Sequence, residues 1–264
     1  MIVRIIIIIY LCYLLVLFLR QRTIMYRPFD ETEFEEFTHS VRNVEIPGTY
    51  RLKGLFYERN KDWYTVLFLH GNSGSLRSRI PKLNTLSTIS VNYCIVAYRG
   101  FDGNDGRPTE EGLYDDGRSM MSWLNKNGIP SEKIVLYGES LGCCVALQLA
   151  MEQRVSGMIL ESSFRSMERV VQRQYPLFPT KLMLLDRYNK TCHDLKQITC
   201  PTLVCHSSSD TIVPMEMGKD VFQCLGGKKY FYRFDGGHGM KFTTKTKKVI
   251  ESFLQTLDSE NGFQ

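Results

Sequence analysis

The feature that most constrains the fold of this chain is a segment in which an apolar strand turns sharply into a helix. Residues 134–137 are apolar and mostly β-prone, whereas residues 143–151 are good helix formers. Between them the chain reads Gly-Glu-Ser-Leu-Gly. A serine on so tight a turn adopts a strained backbone, so small residues are needed on both sides, and Gly138 and Gly142 supply them. The segment therefore predicts that Ser140 presents its hydroxyl at the end of a buried strand.

A nucleophilic serine needs a base and a carboxylate that orients the base, and both follow Ser140 along the chain. Asp210 comes shortly after the apolar strand predicted at residues 202–205, and His238 follows the strand predicted at residues 229–234. Viewed singly, these residues have ordinary explanations as a turn serine, a helix N-cap and a loop histidine. The three together, in the order serine, aspartate and histidine, predict a catalytic triad.

A further part of the predicted site is a small-residue turn that could bind a negatively charged oxygen. The apolar strand at residues 66–69 runs into a His-Gly-Asn-Ser-Gly turn that begins at His70. Backbone amides on such turns can stabilise an oxyanion, and the amides of Leu141 and Asn72 are predicted to do so. His70 is expected to support this turn. Glu139 is expected to point away from the site because adjacent side chains on a tight turn diverge.

Several motifs along the chain point to one family. They are H-G-N-S-G from His70, Y-R-G-F from Tyr98, P-T-E-E-G-L-Y-D-D from Pro108, Y-G-E-S-L-G from Tyr137, E-S-S-F from Glu161 and S-D-T-I-V-P from Ser209. Together they resemble the α/β-hydrolase superfamily, and within it the membrane-anchored α/β-hydrolase domain-containing protein 13-like branch. Two residues depart from the family pattern, since Ser207 and Cys143 stand where glycine is usual. Neither is a triad residue, so the departures concern packing.

The resemblance implies an α/β-hydrolase fold, with a mostly parallel sheet and helices on both faces, and a serine hydrolase that uses no cofactor and no metal. The alternation of predicted strands and helices independently indicates the same class of sheet. With 264 residues, of which 43% are hydrophobic, the chain can form one full core. We assign the domain to residues 43–257, a connector to residues 23–42 and a flexible tail to residues 258–264.

The N-terminal segment is uncharged and strongly apolar from residue 5 to residue 19. With residues 1–3 and a snorkelling Arg4, it approaches the roughly 17 to 20 residues that a bilayer span requires. A cleaved signal peptide is the competing interpretation, but no small-residue cleavage site follows residue 19. Residues 1–22 are therefore predicted to be a single-pass membrane anchor that places the enzyme and does not build its site. Basic residues flank it on both sides, so charge does not determine its orientation.

The charge distribution bears on possible partners. The formal net charge is +5, and most of it comes from Arg4, Arg20, Arg22 and Arg27, which precede the first acidic residue, Asp30. The rest of the chain is nearly neutral and gives no reason to expect a nucleic acid partner.

The cysteines bear on the compartment. Four of the 8 cysteines are predicted to be buried free thiols, namely Cys94, Cys143, Cys144 and Cys205. Cys192 and Cys200 lie near the end of a loop-like segment and could form a disulfide in an oxidising compartment. Asn189 begins an Asn-Lys-Thr glycosylation sequence. Both features favour a lumenal or extracytoplasmic domain.

Residues 164–199 separate two predicted strands by more than a simple crossover needs. They are rich in apolar residues, including Leu182 and Leu185, and are predicted to form a cap over Ser140 in which those leucines line an acyl pocket. The alternative is an ordinary helix packed on the edge of the sheet.

The sequence thus predicts a monomeric, membrane-anchored serine hydrolase that cleaves carboxylic ester or thioester bonds of small acyl or lipid-like substrates. Two alternatives stay open. One is peptidase-type cleavage of amide bonds, and the other is a catalytically silent hydrolase fold that serves as a membrane-tethered binding module.

Overall fold

The computed structural model describes residues 1–28 and 36–261. Part of the predicted connector and residues 262–264 of the predicted tail lie outside the described residues. The strands are β1 (Arg42–Ile46), β2 (Leu52–Tyr57), β3 (Thr65–Leu69), β4 (Asn92–Val96), β5 (Ile134–Glu139), β6 (Gly157–Glu161), β7 (Thr202–Ser207) and β8 (Lys229–Phe234). The helices are α1 (Ile2–Met25), α2 (Ile80–Leu86), α3 (Glu110–Lys126), α4 (Leu141–Glu152), α5 (Met167–Gln174), α6 (Thr180–Met183), α7 (Cys192–Lys196), α8 (Met215–Cys224) and α9 (Thr244–Asn261).

The described strands form one sheet in the order β1-β2-β4-β3-β5-β6-β7-β8. The first two neighbouring pairs are antiparallel, and every pair from β4 to β8 is parallel. Strands β3, β4, β6 and β7 are buried at every position, as strands covered on both faces must be. The predicted mostly parallel sheet is confirmed. Strand β5, which ends just before Ser140, lies in its central part.

Helix α1 is apolar over most of its length and runs to Met25, beyond the boundary predicted at residue 22. It is long and apolar enough to cross a membrane, by length and composition alone, and a signal sequence would meet the same test. The chain then continues as extended backbone, where Arg27 forms a bridge with Ser73 in the turn after β3. The N-terminal helix therefore leads directly to the carboxyl edge of the sheet.

The segment between β6 and β7, predicted as a cap, folds into three short helices, α5, α6 and α7. Helix α5 begins at Ser166, whose hydroxyl accepts a hydrogen bond from the amide of Arg169, and α7 begins with a capping box between Thr191 and Asp194. We refer to residues 164–199 as the cap. The alternative of one regular helix packed on the sheet edge is wrong, because the segment folds into three short helices joined by non-helical stretches.

The predicted pairing of Cys192 with Cys200 is wrong. Cys192, at the start of α7, is bonded to Cys224 at the end of α8, while Cys200 is a half-buried free thiol. The two helices pack against each other and bring together cysteines that are 32 residues apart, which proximity along the chain did not indicate. The four cysteines predicted to be buried free thiols are confirmed as such.

The predicted flexible tail at residues 258–264 is also partly wrong. Helix α9 continues to Asn261, so the first residues of that segment are helical.

Candidate active site

Ser140 lies on a strained turn between β5 and α4. Its backbone has φ +52° and ψ −111°, a conformation that is rare for a residue with a side chain. The amide of Ser140 donates to the carbonyl of Glu161 at 2.8 Å, which holds the turn against the neighbouring strand. A Cβ on Gly142 would lie 1.9 Å from the carbonyl oxygen of Leu69, and one on Gly138 would lie 2.6 Å from the Cα of Cys143. Both glycines are therefore needed for close backbone approach, as the sequence predicted.

The three residues predicted to form a triad lie in one hydrogen-bonded chain. The Nε2 atom of His238 is 2.8 Å from Oγ of Ser140, and its Nδ1 atom is 2.7 Å from Oδ2 of Asp210. The Asp210 side chain is fully buried, whereas that of His238 is 22% exposed. When Nδ1 keeps its proton and donates a hydrogen bond to the carboxylate of Asp210, Nε2 is unprotonated and can accept a hydrogen bond from the serine hydroxyl. This arrangement can remove a proton from Ser140 and return it.

The carboxylate of Asp210 is ionised and held in place by several donors. Its Oδ1 atom accepts hydrogen bonds from the amides of Ile212 and Val213, both at 2.9 Å. Burial acts to raise the pKa of Asp210, but hydrogen bonds from His206 and His238 outweigh it and hold that pKa well below its ordinary value. Asp210 is therefore ionised in the folded protein near neutral pH.

The turn after β3 and the first residue of α4 face the same cavity as Ser140. Leu141 begins α4, so its N–H has no acceptor within the helix. Asn72 lies beside it on the cavity wall and is fixed by the chain that follows α1, since its side-chain amide donates to the carbonyl of Met25 at 2.8 Å and its carbonyl accepts from the amide of Arg27 at 2.8 Å. Both residues predicted to bind the oxyanion therefore line the same cavity as Ser140.

His70 supports this turn from below. Its Nδ1 atom donates to the carbonyl of Gly71 at 2.8 Å, and its Nε2 atom accepts from the amide of Tyr98. Burial, together with the charge of Arg79, lowers the pKa of His70 to about 3. The imidazole is therefore a neutral structural group, in keeping with the expectation that it supports the turn.

A buried cluster of charged residues beneath the site was not predicted from the sequence. Lys82 on α2 contacts Glu139 at 2.9 Å and Glu161 at 2.7 Å, while Arg79 contacts Glu139 at 2.7 Å. Glu161 is fully buried and also accepts from the amide of Met240 at 2.6 Å. We call Arg79, Lys82, Glu139 and Glu161 the ionic cluster. It joins the turn after β3, the turn at Ser140, the end of β6 and the loop that carries His238.

The expectation that Glu139 points away from Ser140 agrees with its place in this cluster. Burial acts to raise the pKa of Glu139, but the positive charges of Lys82 and Arg79 hold that pKa below its ordinary value. The only signal in the sequence is that a glutamate ends each of two apolar strands, and it does not identify their partners at the start of α2.

Serine hydroxyls hold the loop that carries His238, and they too were missed. Ser162 donates to the carbonyl of His238 at 2.6 Å, and Ser209 donates to the carbonyl of Gly236 at 2.5 Å. Ser207 also bonds to the carbonyl of Gly236. The serine that departs from the family pattern at position 207 therefore has a structural use in this chain.

A cavity of about 260 Å³ lies over Ser140 and His238. Its wall is largely apolar and is built from α1, the cap and the turns that carry the triad. From α1 and the residues just after it come Leu17, Gln21, Ile24, Met25 and Arg27. From the cap come Phe164, Met167, Val170, Val171, Gln174, Tyr175, Phe178 and Leu184. This composition suits an apolar ligand that ends in a group reaching Ser140.

Two expectations about this cavity are wrong. The N-terminal helix was expected only to place the enzyme, yet it forms part of the cavity wall. Leu182 and Leu185 were expected to line the cavity, yet they are 83% and 50% exposed on its outer side. Leu184 lines it instead, because the chain is extended after α6 and successive side chains then point in opposite directions.

Among the described residues, no group of three or more His, Cys, Asp or Glu side chains is arranged to hold a metal ion.

The sheet, the strained serine turn and the loops that carry the two other polar residues define the α/β hydrolase class of proteins. A family model described as the alpha/beta hydrolase fold matches residues 64–184. The chain is 31% identical over 199 residues to the protein MT2364 of Mycobacterium tuberculosis. The aligned region covers 74% of this chain and 70% of that protein. The chain therefore belongs to the α/β hydrolase fold family, and the resemblance inferred from its motifs is confirmed.

Two further similarities refine this placement. The chain is 26% identical over 237 residues to lysophosphatidylserine lipase ABHD12 of Danio rerio, covering 75% of this chain and 62% of that protein. Among solved structures, the Pyrococcus furiosus esterase Pf2001 superimposes with a TM-score of 0.71 at 18% identity, covering 87% of this chain and 98% of the esterase. The similarity to the Pyrococcus furiosus esterase concerns the fold alone.

Proposed function

We propose that this protein is a membrane-anchored serine hydrolase that cleaves carboxylic ester or thioester bonds of acyl, lipid-like substrates. The observation that carries the proposal is the hydrogen-bonded chain from Ser140 through His238 to Asp210, at a strained turn beneath an apolar cavity. The similarity to a lysophosphatidylserine lipase supports ester hydrolysis and a lipid-like substrate. The apolar wall of the cavity supports an acyl group as the part of the substrate that it holds.

The first half of the reaction transfers the acyl group to the enzyme. His238 Nε2 takes the proton of Ser140 as Oγ attacks the carbonyl carbon, and the carbonyl oxygen becomes an anion that accepts hydrogen bonds from the amides of Leu141 and Asn72. The C–O or C–S bond then breaks, and the leaving alkoxide or thiolate takes the proton from His238. Each oxyanion donor is worth roughly 3 kcal/mol in comparable enzymes.

The second half releases the acid. A water molecule loses a proton to His238 and attacks the acyl group on Ser140, and collapse of the tetrahedral intermediate breaks the bond to Oγ, which takes the proton back. Asp210 keeps its negative charge throughout, orients the imidazole and stabilises its protonated form. The low pKa of Asp210 fits this role, because the carboxylate then does not compete with His238 for the proton.

Our proposal for the location of the domain rests on α1, on a disulfide and on a glycosylation sequence. Helix α1 would anchor the chain in a membrane. The Cys192–Cys224 disulfide is of the kind that persists in oxidising compartments, and Asn189 of the glycosylation sequence is exposed. We therefore propose that the catalytic domain is lumenal or extracytoplasmic. A glycan on the full-length protein in cells that is lost in Asn189→Gln would support this side of the membrane, and a cytosolic domain identified by protease protection would reject it.

The catalytic proposal is tested by labelling the full-length protein with a fluorophosphonate, which reacts with activated serines. Ser140→Ala should abolish labelling and lower the turnover of a short ester by about 10⁶-fold, as loss of a triad nucleophile does elsewhere. Ser122→Ala, which removes an exposed hydroxyl on α3, should label like the wild type. Undiminished labelling of Ser140→Ala would reject the assignment. A wild-type protein that neither labels nor hydrolyses esters would favour the silent binding module.

A further inference from the structure

The freely exposed part of α1 is too short to cross a bilayer. Residues 2–12 are exposed, whereas from Tyr13 onward one face of the helix packs against the domain. At about 1.5 Å per residue, the exposed part covers roughly 16 Å, which is about half of the hydrocarbon thickness of a bilayer. A helix that crosses this thickness needs about 20 residues, so the membrane must also surround the part of α1 that lies beside the domain.

The cap lies beside this second part of α1 and also contacts the end of the exposed part, at Tyr10. The hydroxyl of Tyr10 donates to the carbonyl of Leu177 at 3.0 Å, near the middle of the apolar segment. Nearer its carboxyl end, the buried side chain of Gln21 bonds to the carbonyl of Met183 and to the amide of Leu185.

The end of α1 is held to the cap by further polar contacts. Arg22 pairs with Asp186 at 2.8 Å, and the hydroxyl of Tyr26 lies 2.7 Å from that of Tyr188. The cap thus follows α1 over more than three helical turns, and the two elements must share one depth in the membrane.

The exposed apolar side chains of the domain are concentrated on this part of the molecule. Outside α1, the large apolar residues that are exposed in the described chain are Leu177, Leu182, Leu185 and Ile212. The first three belong to the cap, and Ile212 lines the cavity. Leu177 and Leu182 are 68% and 83% exposed, which is unfavourable for leucine in water and favourable in hydrocarbon.

We propose that the surface of the cap that carries Leu177, Leu182 and Leu185 is immersed in the membrane leaflet beside α1, and that the cavity receives its acyl chain directly from that leaflet. The inference rests on the proposed function only for the identity of the bound chain. Residues from about Tyr13 to Gln21 would lie in hydrocarbon, so the adjacent cap surface would reach roughly 13 Å below the headgroups. Leu17 lies on this stretch and lines the cavity, so this wall of the cavity would adjoin the hydrocarbon.

Basic residues fit the boundary of this immersed surface. Arg20 and Arg27 are exposed near the end of α1, and Arg173 and Lys181 are exposed on the cap. Long basic side chains can extend their charge to the headgroup level while their stems remain in apolar surroundings. They would also attract anionic lipids.

Immersion is tested without any measurement of activity. The full-length protein carrying Leu182→Trp is reconstituted into phosphatidylcholine vesicles that contain a fifth of anionic phosphatidylglycerol, and its fluorescence is compared with and without brominated acyl chains. The emission of the native Trp63 and Trp123 is measured in the wild-type protein and subtracted. We expect blue-shifted, bromine-quenched emission from the new tryptophan, whereas the matched control Lys126→Trp, at the end of α3, should not be quenched. Emission of Leu182→Trp that is typical of water and not quenched would overturn the proposal.

Delivery of the acyl chain from the leaflet is tested by comparing two substrates. A variant with Leu177, Leu182 and Leu185 all changed to Ser should hydrolyse a fluorogenic long-chain ester embedded in vesicles at least about tenfold more slowly than the wild type. Its rate on a water-soluble acetate ester should be unchanged, because none of these side chains lines the cavity. Equal rates of wild type and variant on the embedded ester would contradict delivery from the leaflet. Quenching of Leu182→Trp in a protein that hydrolyses no ester would support immersion and reject the proposed function instead.

Discussion

The two sides of the cavity are built in different ways. On the sheet side, Ser140, Asp210 and His238 stand on turns at strand ends and are held by buried ionic and hydrogen-bonding contacts. On the opposite side, α1 and the cap enclose the cavity with apolar side chains, and elements more than 160 residues apart are joined by a few polar contacts. Under the proposed function, the sheet side would control the positions of the reacting atoms, whereas the cap side would control which molecule reaches them. Changes on the two sides should therefore have different kinetic signatures.

The largest effect in this comparison is expected at Asp210. In Asp210→Asn the amide can donate to Nδ1 of His238, which moves the imidazole proton to Nε2 and prevents it from accepting the serine proton. Turnover should fall by about 10⁴-fold for esters of every chain length, as with the wrong tautomer in other triads. The control Asp220→Asn removes a carboxylate on α8 that pairs with Arg165 and Arg169, and should leave turnover within about twofold of wild type. Near-normal turnover of Asp210→Asn would mean that another group orients His238.

A smaller effect, again independent of chain length, is expected at Glu161. Glu161→Gln leaves the buried Lys82 with one carboxylate and weakens the bond to the amide of Met240, near His238. The free energy of unfolding should fall by about 3 kcal/mol. Turnover should fall by roughly 100-fold, because small displacements of a catalytic group are costly.

The matched control is Glu45→Gln, which breaks the exposed pair with Arg51 on the hairpin and should cost less than about 1 kcal/mol. Urea unfolding and steady-state kinetics measure both quantities. If Glu161→Gln were destabilised but kept wild-type turnover, the ionic cluster would support the fold without positioning the catalytic loop.

On the cap side, the expected effect depends on substrate length. Val171 lines the cavity, so Val171→Phe should fill part of it and exclude the end of a long acyl chain. Each excluded methylene costs about 0.8 kcal/mol, or about fourfold in kcat/KM, while acetate esters should be nearly unaffected. The control Arg173→Phe introduces the same side chain at an exposed position on α5 outside the cavity. A uniform loss for all chain lengths would contradict the division between the two sides.

The smallest effect concerns acid stability on the sheet side. The folded-state pKa of His70 is about 3, below the ordinary value of 6.5, so its stabilising contribution is complete above pH 6.5 and is lost as the pH falls towards 3. Glu139 also has a lowered pKa, but its contribution is lost only below the ordinary value of 4.5. Between pH 6.5 and about 5.5, wild type should therefore lose about 1 kcal/mol more stability than His70→Gln.

Urea unfolding at these two pH values measures this difference. His193→Gln, which changes an exposed histidine on α7, should follow the wild type. The same loss of stability in wild type and His70→Gln would mean that His70 does not resist protonation in the folded state.

The sheet side could be predicted largely from the sequence. Gly138, Ser140 and Gly142 occur within five positions, and their spacing reflects a local backbone requirement. Asp210 and His238 follow recognisable apolar strands, so the parallel sheet alone brings them to the same edge. The supports beneath them could not be predicted in this way, because the partners of Glu139 and Glu161 lie at the start of α2, far away in sequence.

The cap side could not be predicted in detail for the same reason. Residues 164–199 were recognised as an insertion, but which leucine faces the cavity depends on where α6 ends. The role of Leu17 in the wall depends on α1 folding back against the cap, and an apolar segment carries no signal of its neighbours. The partner of Cys192 was misassigned because α8 supplies it from the following unit of the fold.

Because Gly142 has no side chain, the start of α4 can approach the end of β3 closely. A Cβ at this position would lie 1.9 Å from the carbonyl oxygen of Leu69, so the first turn of α4 and the end of β3 are in direct backbone contact. Leu141 precedes Gly142, and Asn72 follows Leu69 by a few residues. The backbone contact therefore affects the distance between the amides of Leu141 and Asn72. Even alanine at position 142 would push α4 and β3 apart, and with them the two amides that we propose to bind the oxyanion.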